Sequence, residues 1–151
     1  MNIEEQIVVF VIDNSKYALN LSNVERVIPS VAITKLPEAP AIIEGIIKIG
    51  EQIIPIVNTR KRFHIAERKI NIFDKIIIVR TKKRIIGLIV DNVEGAIELG
   101  GRKPVPAEKI LPKLKLISGV IQLDDGLVLI HDVDEFLSLD EDKKLTKALE
   151  K

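Results

Sequence analysis

The apolar residues of this chain come in short runs dominated by Ile and Val, and each run is closed by a turn signal. No other feature constrains the fold as strongly. Branching at Cβ restricts a side chain in a helix and suits a pleated surface, so such runs favour strands. Turn signals recur at roughly 8–12 residue spacing, the pattern of a small barrel or sandwich. Hydrophobic residues make up 46% of the 151 residues but aromatics only 3%, so the core is aliphatic. None of the runs reaches the ~18–20 apolar residues that a helix needs to cross a bilayer.

The stretch EGIIKIGEQIIPIVNTRKRF, Glu44–Phe63, shows the pattern in full. Two apolar runs, 46–49 and 52–57, face each other across Gly50-Glu51. Glycine in the first position suits a type II′ turn, which needs a positive φ there. Pro55 removes one ladder donor, which predicts an edge or a bulge at that point. Asn58 is a cap for a short helix over 59–63. Further hairpins are predicted at 7–13 with 17–21, at 75–81 with 84–90 around Lys82-Lys83, and at 117–123 with 127–131 around Asp124-Asp125-Gly126. Residues 91–99 read as a bent strand with Gly95 at the bend. Ser22, with Glu25 three residues on, predicts a capped helix over 23–28 that Pro29 ends. Residues 31–36 read as extended and 100–112 as a loop. A helix starts at 132–137, and a charged C-terminal helix occupies 138–151, with Leu145 and Leu149 on one face. The fold class is mainly β, with short helices and this C-terminal one.

Charge and residue types narrow the function. The net charge is +1, so no whole-chain field attracts nucleic acid or anionic lipid. Without Cys there is no disulfide, thiolate nucleophile or Cys-based zinc site. The acidic start MNIEEQ is unlike a secretory signal, so a cytoplasmic protein is expected, with no direct membrane insertion. No serine lies in a nucleophile elbow. His131, in LIHDVDE beside Asp124, Asp125, Asp132 and Asp134, is the one metal candidate by ligand type; its plainer reading is a strand end followed by a helix start, where Asp suits the dipole. The basic runs Arg60-Lys61-Arg62 and Lys82-Lys83-Arg84 are candidate phosphate contacts. Single-strand-binding barrels add stacking aromatics, whereas Phe10, Tyr17 and Phe73 fall in apolar runs and read as core. No catalytic residue, metal or cofactor is assigned. What remains is aliphatic surface and strand edges, the material of a protein-binding module.

At this point the residues resemble a known family. Gly45-Ile46-Ile47-Lys48-Ile49-Gly50-Glu51 followed by Ile53-Ile54-Pro55-Ile56-Val57-Asn58-Thr59-Arg60 is similar to the central segment of the CheW family of chemotaxis coupling proteins. That segment typically carries Asn-Leu-Arg-Gly and then Ile-x-Pro-Val-Ile-Asp-Leu-Arg. VVFVIDNSKYALNLSNVERVI resembles the family's first hairpin and helix. GLIVDNVEGAIEL resembles its Gly-x-x-Val-Asp-x-Val segment, and ISGVIQLDDGLVLIHDVDEFL its last hairpin and helix. The likeness spans about Gln6 to Leu137.

The resemblance implies one CheW-like domain of two intertwined, five-stranded β-barrels with an apolar seam. It implies a non-enzymatic adaptor at membrane-associated receptor arrays. Its partners are the regulatory domain of the histidine kinase CheA and the cytoplasmic tip of methyl-accepting chemoreceptors, the latter as a helix in a groove. By position, the receptor-groove residues are Lys48, Gly50, Glu51, Lys75, Ile77, Val93, Ala96, Ser118 and Gly119. The kinase-side residues are Val24, Arg26, Val27 and Ile28. Core packing is the competing role for Val24, Val27, Ile77 and Val93. The chain departs from the family where Lys48-Ile49-Gly50-Glu51 replaces Asn-Leu-Arg-Gly, losing an Arg whose planar fork Lys does not reproduce, and where Asn58 replaces Asp. A coupling protein of another kinase pathway and a nucleic-acid-binding barrel are the alternative functions. An enzyme built around His131 would need convergent carboxylates in a cleft.

Overall fold

The computed structural model describes residues 5–106, 116–124 and 126–150. Among these residues eleven strands and two α-helices run in the order β1 (Gln6–Ile12), β2 (Ser15–Asn20), β3 (Val24–Pro29), β4 (Ile43–Ile49), β5 (Gln52–Val57), α1 (Thr59–Arg62), β6 (Lys75–Arg80), β7 (Ile85–Val90), β8 (Asn92–Glu98), β9 (Val105–Pro106), β10 (Ile117–Leu123), β11 (Gly126–His131) and α2 (Leu139–Leu149). They form a six-stranded sheet, β8-β1-β2-β11-β10-β9, and a five-stranded sheet, β3-β6-β7-β5-β4. The chain begins in the first sheet, builds all of the second, and returns to finish the first.

Period-two alternation sorts the side chains into three cores. Ile7, Val9, Ala18, Ile121, Val128 and Ile130 fill one face of the six-stranded sheet. Ile47, Ile54, Ile56, Ile76 and Ile78 fill one face of the five-stranded sheet. The remaining faces meet at a seam, where Phe10, Ile12 and Leu19 pack with Val57, Ile77, Val79, Ile86, Leu88 and Val90. Strands β6 and β7 are therefore buried on both faces, which is why KIIIVR and IIGLIV read as continuous apolar runs. This architecture, mainly β with few short helices, is the fold class expected from the sequence.

The local turns follow their residues. Gly50 has φ 60 between the paired residues Ile49 and Gln52, and Glu51 has no positive φ, as a type II′ turn requires. Asp13 and Asn14, at φ 50 and 68, turn β1 into β2, one residue earlier than expected. Asn58 caps α1 by accepting from the Lys61 N–H at 2.9 Å. Pro55 stands just before the parallel β5–β7 ladder, which holds only Ile56 and Val57, and the β4–β5 bulge lies at 43–45. Gly45 is dictated by contact: a Cβ there would lie 2.3 Å from the Thr34 carbonyl oxygen, where residues 31–36 cross β4.

Four expectations are corrected. Residues 23–28 are not a helix. Leu21–Asn23 is one 3-10 turn, and Val24–Pro29 is a strand paired antiparallel with β6. A capping-box pattern is local, and the β-branched Val24, Val27 and Ile28 gain more from a ladder on Ile76–Val79. Residues 132–137 hold a 3-10 turn, Val133–Glu135, capped by Asp132. Phe73 is not core, being 75% exposed. The loop expected over 100–112 contains the two-residue β9 at 105–106, and its remainder from 107 lies outside the described residues.

Candidate functional site

Two polar constructions tie the sheets and helices together, and they absorb most of the basic runs. In the first, Arg60 on α1 donates to Asp13 in the β1–β2 turn at 2.8 Å and to Asp91, between β7 and β8, at 2.9 Å. Arg68 donates to the same Asp91 at 2.7 Å and to Asp74 at 2.7 and 2.9 Å. The hydrogen bond from Arg60 holds the Asp13 carboxyl below the usual carboxylate range. At Asp74 burial pulls upward, but Arg68 and the Asn71 N–H together hold the carboxyl below its ordinary value. In the second, Arg62 donates to Glu141 at 2.6 Å and Arg84 to Asp142 at 2.8 Å, which fastens α2 over the seam core. Arg60, Arg62 and Arg84 therefore serve intramolecular pairs rather than phosphates.

His131 lies in an aromatic cluster at the seam. Its ring stacks on Phe63 at 4.4 Å and meets Tyr17 at 5.5 Å. Its Nδ1 lies 3.1 Å from the Leu129 carbonyl, which only accepts, so Nδ1 carries the proton. Burial pushes its pKa down to about 4. A neutral imidazole enclosed by rings has a packing role. Among the described residues no group of three His, Asp or Glu is placed to hold a metal ion.

The receptor-groove residues do not form one cluster. Lys48, Gly50 and Glu51 share the exposed tip of the β4–β5 hairpin. Ile53, paired with Lys48 and 47% exposed, adds an apolar group that sequence reasoning missed; its signal was an outward position in a two-residue hairpin. Lys75 and Ile77 lie on β6, separated from that hairpin by β7. Ile77 is fully buried in the seam core. Val93 packs partly against the same core from β8, where Ala96 is exposed. On β10, Ser118 is exposed and donates to the Ile130 carbonyl. Gly119 is buried, and an added Cβ would lie 3.2 Å from Pro104 and 3.3 Å from the Val105 oxygen, so close packing of β9 explains the glycine.

The kinase-side residues do share an element. Val24, Arg26, Val27 and Ile28 all lie on β3, an outer strand of the five-stranded sheet. Val24 packs partly on the seam core and Ile28 on the second sheet's inner core. Arg26 is exposed and Val27 is 40% exposed. A cavity of about 600 Å³ also opens on the first sheet, between the β1–β2 turn, β8 and the β10–β11 hairpin.

Two interlocked sheets, an outer strand showing an apolar side chain and a hairpin tip showing another define a protein-interaction module. Known proteins give the family. The CheW-like domain model matches residues 6–141. A chemotaxis protein CheW of Thermotoga maritima is 30% identical over 137 residues, covering 89% of this chain and 88% of that protein. The CheW of Treponema pallidum is 25% identical over 93% of this chain and 86% of its own length. The crystal structure of the scaffolding protein TtCheW from Thermoanaerobacter tengcongensis superposes with a TM-score of 0.79 at 31% identity, covering 92% of this chain and 96% of that one. The chain belongs to the CheW family, and it is a non-enzymatic coupling adaptor of chemotaxis. No helix among the described residues is long and apolar enough to cross a membrane.

Proposed function

We propose that this adaptor links the regulatory domain of the histidine kinase CheA to the cytoplasmic tips of chemoreceptors, in membrane-associated arrays. The carrying observation is that β3 and the β4–β5 hairpin end the strand order of the five-stranded sheet, with the doubly buried β6–β7 pair between them in that order, and each shows its own exposed side chains, Arg26 and Val27 on β3 and Lys48 and Ile53 on the hairpin. One rigid body thus offers separate surfaces for two partners. The kinase surface is β3, with Arg26 and Val27 in contact and Val24 and Ile28 setting the strand on its cores. The receptor surface uses Lys48, Gly50, Glu51 and Ile53 at the hairpin; Lys75, Ile77, Val93, Ala96, Ser118 and Gly119 lie on other strands and fall outside it. A receptor helix there buries apolar residues against a polar rim. Each contact needs on the order of 1,200–2,000 Å² of buried surface for specific docking, and multivalency in an array raises the effective affinity.

A calorimetric titration with the CheA regulatory domain from the same source tests the reading, followed by addition of a receptor tip fragment. Micromolar or tighter kinase binding and a ternary complex are expected. Kinase binding without receptor binding would show that Lys48-Ile49-Gly50-Glu51 has changed the receptor partner. Binding of neither would overturn the coupling reading.

A further inference from the structure

The first residue of α1 carries a buried hydroxyl that no neighbouring side chain or backbone group satisfies. Thr59 is 1% exposed, and its Oγ1 has no hydrogen-bond partner among the described residues. A hydroxyl buried without a partner costs free energy that a partner recovers. In the central segment typical of the family, Leu stands at this position, between the residues that are Asn58 and Arg60 here. Threonine is shorter and polar, so the exchange opens space and brings in the group that needs a partner.

Space for a partner lies beside it. Thr59 lines a cavity of about 20 Å³ between α1, β4, β7 and the loop before β6. A single water needs roughly 10–15 Å³ of such space and two to four polar partners. The lining supplies the partners. Glu44 on β4 accepts from the Asn58 amide at 3.0 Å through Oε1, and its Oε2 takes no hydrogen bond from a described residue. Asp74 and Asp91 add further carboxylate oxygens. A metal ion is the wrong occupant. Arg60 donates to Asp91 and Arg68 to both Asp74 and Asp91, and both guanidinium groups line the same cavity, where they repel another positive charge.

We propose that one buried water occupies this cavity and bridges α1 to β4, held between the Thr59 hydroxyl and the second oxygen of Glu44. It accepts from the hydroxyl and donates to the Glu44 carboxylate, with the Asp74 and Asp91 carboxylates as acceptors for its second proton. The bridge is a feature of this chain, because a leucine in the place of Thr59 offers the water nothing and fills part of its space.

The test is urea unfolding of the full chain and its variants, with relaxation dispersion of the water oxygen to count waters held long enough to tumble with the protein. Thr59→Val keeps the shape and removes the hydroxyl. It takes a partner from the water, so the unfolding equilibrium constant is expected to rise by at least about fivefold. Thr59→Leu is expected to lower the dispersion amplitude by one water. A Thr59→Val variant as stable as the unaltered chain, or more stable, would show that the hydroxyl is simply unpaired and would overturn the proposal. An unchanged dispersion amplitude in a folded Thr59→Leu variant would overturn it as well; if that variant does not fold, the sign of the Thr59→Val effect decides alone. Stability that differs between sodium, potassium and choline chloride at equal ionic strength in the unaltered chain, but not in Thr59→Val, would assign the cavity to a cation and overturn the water.

Discussion

At the scale of single residues, His131 and Gly45 carry the clearest consequences. The folded chain keeps His131 neutral, with a pKa of about 4 against an ordinary 6.5. Above pH ~6.5 both folded and unfolded chains hold it neutral. As the pH falls from about 6.5 to about 4, the unfolded chain takes up a proton that the folded chain refuses, so stability is lost in that window. At roughly 1.4 kcal/mol per unit the loss approaches about 3 kcal/mol. Asp13, Asp74 and Glu141 all have lowered values, so their losses begin as the pH falls through the ordinary carboxylate range and overlap only the acid end of the window. Urea denaturation at a series of pH values checks this, and His131→Phe is expected to flatten the curve above pH ~4.5; an unchanged slope would refute it. Gly45→Ala drives a methyl group to 2.3 Å from the Thr34 carbonyl oxygen. A backbone atom gives way less readily than a flexible side chain, so a cost of about 1–3 kcal/mol is expected in the same assay. The turn at Gly50 and the cap at Asn58 were legible because their chemistry spans only a few residues. The Arg60–Asp91–Arg68–Asp74 network was not, because pairs separated by 31 and 23 residues leave no trace in local pattern.

At the scale of elements, the antiparallel hairpins were legible and their neighbours were not. β4–β5, β6–β7 and β10–β11 each follow from two β-branched runs around a short turn. The parallel ladders, β2 with β11 and β5 with β7, join distant segments, and alternation says which face is apolar but never which strand lies alongside. The same blindness turned β3 into an expected helix: Ser22 and Glu25 satisfy a local rule, and β6 satisfies the segment better. In α2 local and tertiary signals agree. Ser138 accepts from the Glu141 N–H while Glu141 accepts from the Ser138 N–H, and Leu145 and Ala148 are buried beneath. Ser138→Ala is expected to lower stability by about 1 kcal/mol. Hydrogen exchange should register that loss throughout the chain, because α2 covers the seam core that both sheets share. Exchange confined to residues 139–149 would instead mean that α2 frays independently of the sheets.

For the whole molecule, the path of the chain matters more than any single contact. The six-stranded sheet contains the first two strands and the last four, with the five-stranded sheet built entirely between them. Neither sheet is complete without the other, and the seam core draws on both, so a partner docking on one strand meets a body that resists local deformation. An adaptor needs this if occupancy of one surface is to leave the other intact. β3 and β4 end the strand order of the same sheet, with β6, β7 and β5 between them, and Val27 and Ile53 stand on different strands of it. Substitutions at sites with no shared neighbours act nearly additively. Val27→Asp is therefore expected to weaken kinase binding by at least tenfold while leaving receptor-tip affinity within about twofold, and Ile53→Asp to do the reverse, since a carboxylate placed in an apolar contact costs roughly 1–3 kcal/mol. The double variant should lose both affinities by the product of the single effects, measured by calorimetry with each partner alone. Both side chains are about half exposed, so the folded state has room for either change. If Val27→Asp instead disrupted receptor binding as strongly as kinase binding, the two partners would share one surface, and the adaptor would have to exchange them rather than hold them together.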